Sequence, residues 1–283
     1  MVPVFAMTPD EYCQQKAAGS GSSFYYSFLF LPPERRRAIT ALYAFCREVD
    51  DVVDESTDTQ LAQTKLAWWR DEVAKLFAGH PQHPVSRALQ PGLQPYGITA
   101  ERLNEIITGM EMDLAQSRYL DFKALERYCY HVAGVVGLLA AGIFGYRDPR
   151  TLDYAKNLGT AFQLTNIIRD VGDDARRNRI YLPMDELRSF GVLASDILQA
   201  KHSDAFVKLM EFQYRRAVSY YDAAEGTLPP GDRSAQRPGL IMAAIYRALL
   251  QEIEQGQFRV LSHRTSLTPL RKLWIAWKTW IRG

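Results

Sequence analysis

The stretch Gln163–Asp174, QLTNIIRDVGDD, decides how the rest of the chain is read. Helical spacing already runs from Ala155 to Gln163 and continues through Ile167 and Ile168. Residues three and four apart share a helix face. Gln163, Asn166, Asp170 and Asp174 therefore form one stripe of oxygen-bearing side chains, and Ala161, Leu164 and Ile168 fall on the packing side. Two carboxylates one turn apart, with amide oxygens beside them, suit a hard cation such as Mg²⁺, which takes one or two carboxylates and shares its other positions with water and phosphate. A solvated polar face has the same composition, because charged stripes are common on surface helices.

A second stretch repeats the pattern. In YAFCREVDDVVDE, Tyr43, Arg47, Asp50 and Asp54 follow one another at one-turn steps, with Ala44, Val49 and Val53 on the apolar side. Two such helices facing each other would hold several divalent ions. The ligand that calls for them is a diphosphate, whose charge is concentrated in a small volume. Arg47 and Arg169 could grip its oxygens with their planar donor forks.

Working outward, helices are predicted over Ile39–Glu55, Gln60–Phe77, Thr99–Arg118, Asp121–Phe144, from Pro149 through Asp174, Ser203–Ala224 and Leu240–Gln255. Pro33 reads as a first-turn proline and Thr99 as an N-cap. Ser23 opens a shorter helix towards Leu31, after a loop over Gly19–Ser22. Leu61, Leu66, Trp69, Val73 and Leu76 are packing candidates. Arg35, Arg36 and Arg37 read as a solvated first turn. Gly79–Gly97 and Thr227–Gly239 read as connectors, with His80 and His83 at the surface. The run YCYHVAGVVGLLAAGIFG is crowded with small residues, which suits either tight helix packing or a wall beside a long apolar ligand. Arg176, Arg177 and Arg179 form a basic flap over a phosphate or a solvated loop.

Nothing alternates like a strand, so the expected fold is all-α: a single domain over residues 1–266, with helices around a central cavity, and an amphipathic tail over 267–283. Hydrophobic residues make up 47% of the 283, ample for a core, and a net charge of +2 argues against a nucleic-acid binder. Three scattered cysteines suit buried thiols rather than a disulfide framework. No signal peptide and no membrane-spanning helix are expected. In the tail, PLRKLWIAWKTWIRG, Leu270, Leu273, Trp274, Trp277, Trp280 and Ile281 share one side, with Arg271, Lys272, Lys278 and Arg282 opposite and Ile275 the exception. This composition suits a helix lying in a membrane interface or one docked on the core.

Both aspartate stretches resemble the squalene/phytoene synthase family. YCYHVAGVVG (Tyr128 to Gly137) is similar to one family signature, and LGTAFQLTNIIRDVGDDARRNRIYLP (Leu158 to Pro183) to the other; a third match runs from Ser23 to Asp54. The likeness extends from about Ser20 to Arg264. It implies an isoprenoid-synthase-type helical bundle that joins two prenyl diphosphates head to head with two or three Mg²⁺ ions. It further implies Asp50, Asp54, Asp170, Asp174 and Asn166 as metal ligands, and Tyr128, Tyr43 and Arg169 as catalytic residues. Ser23, Phe24, Tyr43, Arg47, Gln163, Asn166, Arg169, Arg179, Tyr181, Tyr246 and Arg264 would bind substrate. Many relatives carry a basic residue or histidine before the Ser-Phe pair, where this chain has Ser20, Gly21 and Ser22.

Within the family, GSSFYYSFLFLPPERRRAITALYAFCREVDD most resembles the bacterial presqualene diphosphate synthases of hopanoid-related squalene pathways. That implies farnesyl diphosphate as substrate, no need for NADPH, downstream squalene-pathway enzymes as neighbours, and a cytoplasmic protein peripheral at the inner face of the membrane. Phytoene synthase and dehydrosqualene synthase are the alternatives within the family. A non-catalytic prenyl-lipid binding protein is the alternative outside it, although it would not account for two aspartate pairs.

Overall fold

A computed structural model describes residues 7–19, 27, 28, 30–56 and 58–282. Among the described residues the regular structure is helical, with one isolated bridge between Arg118 and Ile180. Ser23 and Phe24, and the helix and loop expected around them, lie outside the described residues.

The two aspartate helices anchor the fold. Helix α1 (Pro9–Gly19) was not foreseen in the mixed N-terminal segment. It packs on α2 (Pro33–Asp54), with Lys16 paired to Glu48 at 3.0 Å and to Asp51 at 2.8 Å. Helix α2 starts at the proline, six residues before the expected Ile39, because a first-turn proline has no N–H to lose. Its buried stripe, Ala38, Leu42, Phe45, Val49 and Val53, keeps steps of three and four. Arg35 is not solvated: it donates to the Phe144 carbonyl.

Helix α3 (Thr59–Phe77) is capped by Asp58. Its stripe runs Ala62, Leu66, Trp69, Val73, Leu76, so Leu61 falls outside it and is exposed. The expected Gly79–Gly97 connector contains a short helix, α4 (Pro84–Leu89). There Pro84 starts a helix rather than breaking one, and the His83 ring accepts from the Val85 N–H. His83 is half-buried against Trp69, with ring centroids 4.8 Å apart. Helix α5 (Ala100–Ala115) is capped by Thr99 and ends before the predicted Arg118.

Helix α6 spans Phe122–Phe144 and contains a π-helical turn over Tyr130–Gly134. It is long and apolar enough to cross a membrane on length and composition alone. Here it is a core helix whose Leu125, Cys129, Val135, Leu139 and Ile143 are buried within the fold. Helix α7 (Arg150–Arg176) is about 40 Å long at 1.5 Å per residue. Two short helices follow, α8 (Met184–Ser189) and α9 (Ala194–Leu198). Then come α10 (Asp204–Thr227), α11 (Arg237–Gln255) and the tail helix α12 (Pro269–Arg282).

Small residues let α6 and α7 touch. A Cβ on Gly137 would sit 2.3 Å from the Ala155 carbonyl oxygen, and one on Gly159 would sit 2.4 Å from that of Ala133. The core divides into two clusters. One is built on α1–α5 and the C-terminal half of α6, the other on α7, α10, α11 and the start of α6. An apolar cavity of about 200 Å³ lies at the seam. The small-residue run thus packs tightly on α7, and its Ala133, Gly137 and Ala140 also line this cavity.

Candidate active site

A polar cleft of about 420 Å³ lies at the ends of the two aspartate helices. From α2 it receives Arg47, Asp50 and Asp54; from α7 it receives Gln163, Asn166, Arg169, Asp170 and Asp174. The facing arrangement expected from the two stretches is thus present. Gln163 and Asn166 also line the apolar cavity, so the two spaces meet at those side chains.

Two loops carry the remaining residues into the cleft. After α7 the chain pairs with the segment that follows α5: Ile180 N–H donates to the Ser117 carbonyl and Met184 N–H to that of Tyr119, at 3.0 and 2.9 Å. This brings Arg179 and Tyr181 over Asp113. Tyr181 donates to both Asp113 carboxylate oxygens, at 2.7 and 2.9 Å, and Arg179 approaches at 3.2 Å. The second loop crosses α7 at Gly172, whose N–H donates to the Val260 carbonyl at 3.2 Å. A Cβ there would meet the Leu261 carbonyl at 2.4 Å. The crossing delivers Arg264 to Asp170 at 2.8 Å.

Asp113 was not singled out by sequence. The signal is that it continues the apolar stripe of Leu103, Ile106 and Met110 on α5, a lone carboxylate on a buried face. Gly172 gave a similar hint as a glycine inside a helix. Of the expected flap, Arg177 and Arg179 reach Asp54 at 3.1 and 3.5 Å, whereas Arg176 turns outward to Asp173.

Tyr128 lines the cleft, stacked on Tyr181 with centroids 5.4 Å apart. Burial, with Tyr181 and Asp113 beside it, pushes its hydroxyl well above the ordinary phenol range, so it stays protonated. Tyr43 lines the apolar cavity rather than the cleft. Tyr246 is buried, packs on Phe162 at 4.9 Å and bonds to Arg169. It lines neither space, so it steadies Arg169 from behind.

The carboxylates differ in character. Burial and the neighbouring Asp54 charge raise Asp50 to about 7. Burial, with Asp170 and Asp113 nearby, raises Asp174 to about 7. Burial also works to raise Asp170, but Arg169 and Arg264 overcome it and hold the group below its usual value. Burial raises Asp113 against the pull of Arg179.

Six aspartates face five arginines in the cleft, so it has no surplus positive charge with which to hold a diphosphate. The Asn166 Oδ1 atom is buried without a hydrogen-bond partner, while its amide nitrogen faces Gln163. An orphaned oxygen among desolvated carboxylates is what a divalent cation would satisfy. Among the described residues no three His, Cys, Asp or Glu side chains are gathered as a ready-made metal site. Here arginines draw the aspartates: Arg47 holds Asp50 at 2.7 Å, and Arg169 holds Asp170.

A family model described as squalene/phytoene synthase matches residues 17–271. The phytoene synthase of Arthrospira platensis is 35% identical over 276 residues, spanning 93% of this chain and 89% of that protein. Among solved structures, a dehydrosqualene synthase in complex with ligand superposes with a TM-score of 0.85 at 28% identity, covering 96% of this chain and 95% of its own. The squalene synthase HpnC from Alicyclobacillus acidocaldarius gives 0.79 at 28% identity, covering 88% and 94%.

Proposed function

The chain belongs to the squalene/phytoene synthase family and is a prenyltransferase of the head-to-head type; on that premise we propose that it condenses two farnesyl diphosphates to presqualene diphosphate. The observation that carries this reading is the continuity of the polar cleft with the apolar cavity at Gln163 and Asn166. It gives a charged head and an apolar tail adjoining places. The N-terminal run resembling presqualene diphosphate synthases supports the product.

Asp50, Asp54, Asn166, Asp170 and Asp174 are the residues that would hold Mg²⁺, which when bound supplies the positive charge that draws the diphosphate away from the allylic carbon. Arg47, Arg169, Arg179 and Arg264 clamp diphosphate oxygens with paired N–H donors. Protonated Tyr128, held by the aromatic stack, donates a hydrogen bond to the departing group. The carbon–oxygen bond of one substrate breaks, its electron pair leaving with the diphosphate. The double bond of the second substrate bonds to the freed carbon, and loss of a proton closes a cyclopropane. The apolar lining of the cavity keeps water from the cation, and the face of the Tyr43 ring offers it a quadrupole. No electrons are gained or lost overall, so NADPH has no part in this product.

The exposed tail side chains Leu270, Leu273, Trp274, Trp277 and Ile281 support a further element of the reading: α12 lies on a membrane that receives the apolar product, at the inner face for a cytoplasmic enzyme.

The 35% identity to a phytoene synthase favours a second reading, with geranylgeranyl diphosphate as substrate. Product analysis separates the two. With purified protein, Mg²⁺ and farnesyl diphosphate, presqualene diphosphate should accumulate with or without NADPH. Turnover of geranylgeranyl diphosphate alone would establish the phytoene branch. Squalene formed only with NADPH would make the protein a complete squalene synthase.

A further inference from the structure

At the end of the apolar cavity away from the cleft, Tyr154 and Leu158 line two cavities at once. On one side they close the apolar cavity. On the other they form the inner wall of a separate chamber of about 390 Å³, bounded by α10 and α11 and covered by Trp274, Ile275 and Lys278 of the tail helix. A single layer of side chains divides the two.

Tyr154 stands where a prenyl chain would end. Back along α7 from Asn166, the cavity wall is Gln163, Phe162, Gly159, Leu158, Ala155 and Tyr154, in steps of one to four residues along a single face. From Asn166 to Tyr154 is about 18 Å along the axis. The Tyr154 ring is 2% exposed and its hydroxyl has no hydrogen-bond partner. Gly239 makes room for it, since a Cβ at that position would lie 2.6 Å from the hydroxyl oxygen. Burying a hydroxyl without a partner is unfavourable, so this side chain is placed for the bulk of its ring and not for its polar end.

We propose that Tyr154 is the floor that sets prenyl chain length. Its ring stops the chain at the end of the cavity and keeps the outer chamber closed to it. This rests on the reading of the apolar cavity as the prenyl site. Leu158 forms the side of the same partition, and Ala243 and Ala244, which line the chamber beyond, leave the space a longer chain would enter.

The test compares wild type with Tyr154→Phe, Tyr154→Leu, Tyr154→Ala and Tyr154→Ala combined with Ala243→Phe. Each is assayed with the C15, C20 and C25 allylic diphosphates. Relative to the best substrate of wild type, Tyr154→Ala should raise kcat/KM for the diphosphate one isoprene unit longer by about tenfold or more. Tyr154→Leu should do so to a smaller extent, Tyr154→Phe should keep the wild-type ranking, and Ala243→Phe should restore it by filling the chamber. An unchanged ranking in Tyr154→Ala would overturn the floor; if that variant does not fold, an unchanged ranking in Tyr154→Leu would do so. Wild type preferring the C20 substrate would correct the farnesyl reading but shift the expected change one unit higher. Wild type turning over none of the three would overturn the reading of the site, and the floor with it.

Discussion

At the scale of single residues, the cleft works by unequal neighbours. Asp170 is held by two arginines and stays ionised, whereas Asp50 and Asp174 are raised to about 7 by burial and by other carboxylates. Asp113 ties the aromatic stack to Arg179 through Tyr181. Asp113→Asn keeps the shape and an acceptor for the Tyr181 hydroxyl but removes the charge that orients Arg179. Turnover should fall by about 10²-fold, the scale of losing one preorganised electrostatic contact, while far-UV circular dichroism and Tm stay near wild type. Activity within a factor of three would show that Asp113 serves packing only. The lesson for sequence reading is also local. Asp50, Asp54, Asp170 and Asp174 are legible because each pair keeps helical register within its own helix. Asp113 is a single residue whose partners are 66 and 68 positions away in the chain, and no local pattern carries that information.

At the scale of elements, periodicity located the long helices, while their ends and short neighbours depended on capping and packing. The Pro84–Leu89 helix was hidden because proline both breaks and begins helices. The π turn over Tyr130–Gly134 has no signature of its own, yet it follows Tyr128 at the cleft and itself carries Val132 and Ala133 to the cavity wall. The tail helix docks on the core by one side and leaves another side exposed. Ile275, the exception on the helical wheel, is buried with Ala276, and Trp280 stacks on Phe30 at 4.7 Å. Trp274 and Trp277 face outward, 56% and 57% exposed. Replacing both with serine should weaken sedimentation with anionic liposomes severalfold. Tm should hold, since exposed substitutions usually cost within about 0.5 kcal/mol. Unchanged liposome binding would assign the outward face to something other than lipid.

At the scale of the whole molecule, the two halves of the core meet at a cavity, and carboxylates from both sides converge at its polar end. Mg²⁺ together with a non-reactive diphosphate analogue should bridge α2 and α7 and raise Tm. Saturation at one hundred times Kd contributes about 2.7 kcal/mol, or about 5–10 °C for a chain of this size. Mg²⁺ alone should give much less, because the arginines already satisfy part of the carboxylate charge. An equal shift with metal alone would place the cations independently of the diphosphate. By itself, the sequence determined the all-helical class, the two aspartate pairs and the apolar surplus, because each is written in spacing that one helix can express. Only the tertiary structure decided that Arg264 reaches Asp170, that Arg179 and Tyr181 close over Asp113, and that Tyr154 separates two cavities. Those contacts join residues far apart in the chain, and their positions follow from how glycine-lined helices and crossing loops pack, which no single segment encodes.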